Sequence, residues 1–302
     1  MSSNKPFANI WKPYSTMPCG RARIILLGDS ITQLSFNSNG GFGARLSDIY
    51  QRRADVFNRG YSGYNSEWIL NMLQTNEGRL GIFGPPNDDG AVGSPPVDAV
   101  RLVTIFLGAN DASDAELNAR QHVPLKEYRT NLEKIVHITR EWCPHSKILL
   151  ITPPPVDHEA RLKYQLDRYG DKATGKLERT LSLSGEYATA ACETAVQVGV
   201  PCLNIWKKMQ DADNSPGWHQ YLSDGLHLSP KGNQFVGKML EEFIFEHFPE
   251  ISVIPCEFTG NFGTSGSRCS NMLQIGPWHD EVKNSRDSEP SNKRIKTSTE
   301  NS

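Results

Sequence analysis

Gly28-Asp29-Ser30-Ile31 follows directly on the apolar run Ile24-Ile25-Leu26-Leu27. A serine delivered at the end of a buried strand stands where open α/β sheets bind ligands. It is a nucleophile if a base stands beside it. The same tetrapeptide also reads as an ordinary turn, with glycine bending the chain and Asp or Ser capping the next helix. Asp224 and His227 lie three residues apart. On one turn of chain they can face the same way, so the carboxylate could hold one ring nitrogen protonated while the other faces Ser30. Acyl transfer needs that base, that orienter and donors for the oxyanion. Gly63 would let a backbone N–H approach a ligand closely, because it has no Cβ. Gly60 competes for the same role. Asn110 offers a side-chain amide. Each residue also has a bland reading as a loop glycine, a capping asparagine or a surface histidine. Zinc is the rival chemistry for Asp224 and His227. No His-x-x-x-His pair or third clustered ligand accompanies them, so neither a metal nor another cofactor is expected.

These residues need a scaffold that brings them to one edge. Five short apolar runs, at residues 23–27, 56–58, 102–107, 148–152 and 202–205, read as strands. Most are continuous rather than alternating, as in strands covered on both faces. Helical stripes lie between them at 43–52, 66–73, 128–142, 186–198 and 233–248. Alternating strands and helices predict an α/β fold with a parallel sheet and helices on both faces. Residues 77–96, rich in Gly and Pro, read as a long loop. Residues 111–124 and 156–184 read as insertions at strand ends, either of which could wall a pocket.

Composition bounds the rest. The chain has 302 residues and a formal net charge of −2, with no general basic footprint for nucleic acid. Six cysteines do not make a dense disulfide framework, and no Cys-x-x-Cys pair is present. Cys143, Cys192 and Cys202 read as buried thiols; Cys256 and Cys269 could pair. No apolar run approaches the ~20 residues that span a bilayer, and no secretory signal is evident. A soluble cytoplasmic protein with a small-molecule partner is expected, with a homo-oligomer left open. Residues 1–20 read as an N-terminal arm, 21–250 as the main domain, 251–279 as an extension and 280–302 as a polar, disordered tail. Within that tail, Lys293-Arg294-Ile295-Lys296 reads as part of a solvated terminus rather than a nuclear address.

The ordered blocks together resemble the SGNH hydrolase superfamily, the GDSL-type esterases and lipases. Gly28-Asp29-Ser30 matches its nucleophile block and Gly63 its glycine block. Gly108-Ala109-Asn110-Asp111 matches Gly-x-Asn-Asp, and Asp224-Gly225-Leu226-His227 matches Asp-x-x-His. Within the superfamily, residues 28–35, 40–43 and 59–66 look similar to the isoamyl acetate-hydrolysing esterase branch. The resemblance implies a flavodoxin-like three-layer α/β/α sandwich on a five-stranded parallel sheet. It implies Ser30 as nucleophile, His227 as base and Asp224 as orienter, with Ser30 N–H, Gly63 N–H and Asn110 forming the oxyanion hole. The implied activity is hydrolysis of small to medium carboxylic esters, such as acetates, through an acyl-enzyme. Open alternatives are a thioesterase, a lysophospholipase, an acyltransferase or a non-catalytic binding module. A nucleotide-binding protein is disfavoured, since no Gly-x-Gly-x-x-Gly or phosphate-loop motif follows a strand.

Overall fold

The computed structural model describes residues 22–51, 53–85, 100–212 and 217–251. The N-terminal arm, the tail, all but Ile251 of the extension, and both Cys256 and Cys269 lie outside them. Strands β1 (Ala22–Gly28), β2 (Ala54–Gly60), β3 (Val100–Phe106), β4 (Lys147–Ile151) and β5 (Cys202–Leu203) form one parallel sheet. Their order is β2-β1-β3-β4-β5, the doubly wound flavodoxin-like arrangement. The fold is the α/β/α sandwich expected from the alternation of elements.

Side chains alternate across a strand, and β1 shows how this builds two cores. Ile25 and Leu27 join a cluster with residues of α3 (Ser66–Gln74), α5 (Leu125–Trp142) and α7 (Leu181–Val198). Ile24 and Leu26 turn the other way, toward α2 (Phe42–Ile49), α8 (Ile205–Asp211) and α9 (Pro230–His247). Burying each such side chain stabilises the fold by about 1.5–3 kcal/mol. Burial on both faces also explains why the run is continuously apolar. Strand β2 is the contrast. It lies at the sheet edge, six of its seven residues are only half-buried, and its sequence carries Asp55, Asn58 and Arg59.

Two segments depart from the sequence expectation. The stretch read as a loop over 77–96 begins as helix α4 (Asn76–Phe83), capped by the Thr75 hydroxyl accepting from Gly78 N–H. Ile82 and Phe83 at its end are buried in the β1–α5 core, and this packing overrides the weak local preference of a helix carrying two glycines. Residues 86–96 are outside the described set. The insertion over 156–184 contains α6 (His158–Tyr169), capped by Asp157. Gln165 is its one buried residue, and the helix's short apolar stripe, Leu162 and Leu166, stands among charged residues instead of in the core. Among the described residues no helix is long and apolar enough to cross a membrane.

Candidate active site

Parallel register sets the position of the site. Gly28 at the end of β1 pairs with Gly60 of β2 and Phe106 of β3. The three strands therefore finish level, and the segments that follow them emerge at one edge. The strand order reverses between β1 and β3, which makes this edge the switch point where such sheets bind ligands.

Asp29 and Ser30 divide the two readings of their tetrapeptide. Asp29 is the cap: its Oδ1 accepts from Ile31 N–H at 2.9 Å. Ser30 is the first residue of the four-residue helix α1 (Ser30–Gln33), so its N–H is one of the leading donors a helix leaves free. Its Oγ lies 2.9 Å from His227 Nε2. On the other side of the ring, His227 Nδ1 lies 2.8 Å from Asp224 Oδ2. An ionised carboxylate only accepts, so Nδ1 carries the hydrogen and Nε2 is left to accept from the Ser30 hydroxyl. The arrangement can move a proton from serine to imidazole and hold the resulting cation against a carboxylate.

The Asp–His segment owes its shape to its own backbone. Leu222 and Leu228 form an antiparallel bridge, and Ser223 N–H donates to His227 O at 2.8 Å. Asp224 Oδ1 accepts from the N–H groups of Leu226 at 3.1 Å and His227 at 2.7 Å. This leaves Oδ2 for the ring. Gly225 sits at φ 80°. A Cβ there would also lie 2.4 Å from Arg161 N and from Asp157 O, so only glycine lets the loop lie against the start of α6.

Across the site, Tyr61 N–H donates to Gly28 O at 2.9 Å and Ser62 N–H to Gln33 Oε1 at 2.7 Å. These bonds fasten the turn after β2 to β1 and α1. Gly63 adopts φ 81°, a conformation that favours glycine. Its N–H makes no hydrogen bond to another described residue. Asn110 Nδ2 donates to Tyr64 O at 2.8 Å, which uses one of its two hydrogens and leaves one for a ligand.

The GDSL-like lipase/acylhydrolase family matches residues 24–240. The chain belongs to this family, and with it to the carboxylic ester hydrolases. A GDSL esterase/lipase of Arabidopsis thaliana is 40% identical over 256 residues, covering 84% of this chain and 98% of that protein. The isoamyl acetate-hydrolyzing esterase 1 homolog of Bos taurus is 43% identical over 215 residues, covering 71% of this chain and 78% of its own. Among solved structures, an acetyl xylan esterase superposes with a TM-score of 0.50 at 16% identity, covering 74% of this chain and 99% of that one. That likeness speaks to the fold alone.

In this GDSL-like hydrolase the electrostatics separate three carboxylates. Burial opposes ionisation of Asp224, but the His227 ring, the His227 N–H and Arg161 outweigh it and hold the carboxyl well below the usual range. Asp29 is pushed up to about 7, chiefly by burial, against the pull of the Ile31 N–H. Asp111 is pushed up to about 6 by burial, although its Oδ1 accepts from Ser66 N–H at the start of α3. Asp224 is thus the one carboxylate of the three whose ionisation its surroundings favour.

Three residues at the site carry no sequence signal. Arg161 on α6 donates to Asp224 Oδ2 at 2.7 Å, with both side chains about one-tenth exposed. Gln121 donates to Gly63 O and Asn110 Oδ1, and Arg179 donates to Asn110 Oδ1 and Gln121 Oε1. Arg161 sits among charges that read as a solvated face, and Gln121 and Arg179 sit in segments without periodicity. The insertions over 111–124 and 156–184 do reach the site, through Gln121, Arg161 and Arg179. A groove along α6, lined by His158, Leu162, Leu166 and Leu177, is separate from the Ser30–His227 pair.

Proposed function

We propose that this hydrolase cleaves small to medium carboxylic esters, such as acetates, through an acyl-enzyme on Ser30. The observation that carries the reading is the unbroken hydrogen-bonded chain Ser30–His227–Asp224, with contacts of 2.9 and 2.8 Å. His227 Nε2 takes the Ser30 proton as Oγ attacks the ester carbonyl. The carbonyl π electrons move onto oxygen, and the Ser30 N–H, Gly63 N–H and Asn110 Nδ2 receive the oxyanion. When the tetrahedral species collapses, the C–O bond to the alcohol breaks and His227 returns the proton to the leaving oxygen. Water then attacks the acyl-serine with His227 again as base, releasing the acid and restoring the serine. Asp224 holds the tautomer and stabilises the imidazolium between steps.

The small-ester preference is supported by the bovine relative, whose name specifies isoamyl acetate. Residues 21–250 are the catalytic domain in this reading. The test is an ester series varying acyl and alcohol length, with matching thioesters, run beside Ser30→Ala. The expected result is the highest kcat/KM on short acyl oxygen esters and loss of turnover in Ser30→Ala. A maximum on long acyl chains or thioesters would replace the substrate class. Full activity in Ser30→Ala would remove the mechanism.

A further inference from the structure

Gln121 lies at the centre of a partly buried polar network on the oxyanion side. Its Nε2 donates to Gly63 O at 3.0 Å and to Asn110 Oδ1 at 3.1 Å. Its Oε1 accepts from Arg179 NH2 at 2.6 Å and from Asn118 Nδ2 at 2.9 Å. Two donors on the oxygen settle which way this amide points. The backbone is tied as well: Gln121 O accepts from Asn65 Nδ2 at 3.0 Å. Arg179 extends the network. Its Nε donates to Ala109 O at 3.1 Å and its NH2 to Asn110 Oδ1 at 3.3 Å.

The consequence for Asn110 is specific. Its Oδ1 accepts from both Gln121 and Arg179, so the amide cannot flip without placing its NH2 against their donors. The Nδ2 end is thereby turned toward Tyr64 O, with its second hydrogen unused. Gly63 is fixed by the same residue, through its carbonyl. Arg179 is 3% exposed, and burial lowers its pKa to about 10, so it is charged at neutral pH. The hydrogen bonds of its guanidinium end on neutral oxygens of Ala109, Asn110 and Gln121. A cation on Oδ1 polarises the amide and makes the opposite N–H a stronger donor.

We propose that Gln121 and Arg179 are positioning residues that set the two non-serine oxyanion donors. Gln121 holds the Gly63 peptide and Asn110 in register, and Arg179 fixes the orientation of both amides and strengthens the Asn110 donor. The inference rests on the reading of Gly63 and Asn110 as oxyanion donors.

The test uses Gln121→Glu and Gln121→Met in the full chain. Glutamate keeps the shape and the acceptor for Arg179, but its carboxylate cannot donate to Gly63 or Asn110. Methionine removes both functions. Both variants should lower kcat roughly 10- to 100-fold, less than the ~10²–10³-fold cost of losing a donor outright, with KM held within about threefold as expected for an interaction made in the transition state. On an Asn110→Ala background, Gln121→Met should add a far smaller loss, because coupled residues are not additive. Wild-type kcat in Gln121→Glu would show that Gln121 merely anchors Arg179, and would overturn the proposal. So would a full multiplicative loss on the Asn110→Ala background. Glutamate is the closer match in shape, so Gln121→Glu decides the matter if the methionine variant does not fold. Labelling of wild-type Ser30 by a fluorophosphonate keeps the two readings apart. If wild type labels and the variants turn over normally, the positioning role fails alone. If wild type does not label, the serine mechanism fails first.

Discussion

The oxyanion side of the site hangs from the level ends of β2 and β3, whereas the acid–base side sits on a loop just ahead of α9. On the first side, Asn110 is held by three hydrogen bonds, to Tyr64 O and from Gln121 and Arg179, and Gln121 also donates to Gly63 O. On the second, Asp224 and His227 depend on the loop's own turn and on the start of α6, where the Arg161 guanidinium braces the Asp224 carboxylate and Asp157 N–H holds Gly225 O. The comparison shows two ways to fix a side chain. A sheet edge fixes it through redundancy, while a loop fixes it by folding on itself and leaning on a neighbouring helix. Loss of a single contact should be felt more on the loop side unless the contact lies at the centre of the network.

Substitutions on the two sides should differ in cost. Ser30→Ala removes the group both sides serve, and turnover should fall by more than about 10⁴-fold with the fold intact. Steady-state kinetics together with circular dichroism check this. Asn110→Ala takes one donor from the redundant side and should cost ~10²–10³-fold in kcat. Arg161→Gln takes the outside side-chain brace from the Asp224 carboxylate without touching a group proposed to react. Misplacement at a distance can cost up to ~10²-fold, so kcat/KM should fall roughly 10- to 100-fold. A wild-type value for Arg161→Gln would show that the loop holds itself.

The smallest effect on rate is expected at Asp29, where the readout is stability. Its carboxyl rises from its ordinary value near 4 to about 7 on folding. The folded state then binds the proton more tightly than the unfolded chain. This contribution is fully present below about pH 4 and is lost as pH rises through about 7. Asn cannot ionise but can still accept from the Ile31 N–H. In Asp29→Asn the fall of Tm across that window should be shallower, as differential scanning calorimetry at several pH values would show.

That Ser30, Gly63, Asn110, Asp224 and His227 come together at one edge was legible, because each lies beside a strand end or in a compact turn with a short-range pattern. The five strands were legible from their apolar runs, although β2 shows the run shortened by exposure at the sheet edge. What the sequence hid depends on distance along the chain. Arg161 and its carboxylate partner are 63 residues apart, and Arg179 and Gln121 are 58 apart. No local periodicity records such pairs. Helices α4 and α6 were hidden for a related reason. Tertiary packing of Ile82 and Phe83 stabilises the first, and the second sets its few apolar residues among charges and buries one side chain.

The proposed covalent intermediate on Ser30, formed with help from His227, is open to peptide mapping by mass spectrometry after reaction with a fluorophosphonate. One adduct is expected, on the peptide containing Ser30, abolished in Ser30→Ala and strongly slowed in His227→Ala. An unlabelled Ser30 in active protein, or an adduct on another residue with Ser30 unmodified, would contradict it.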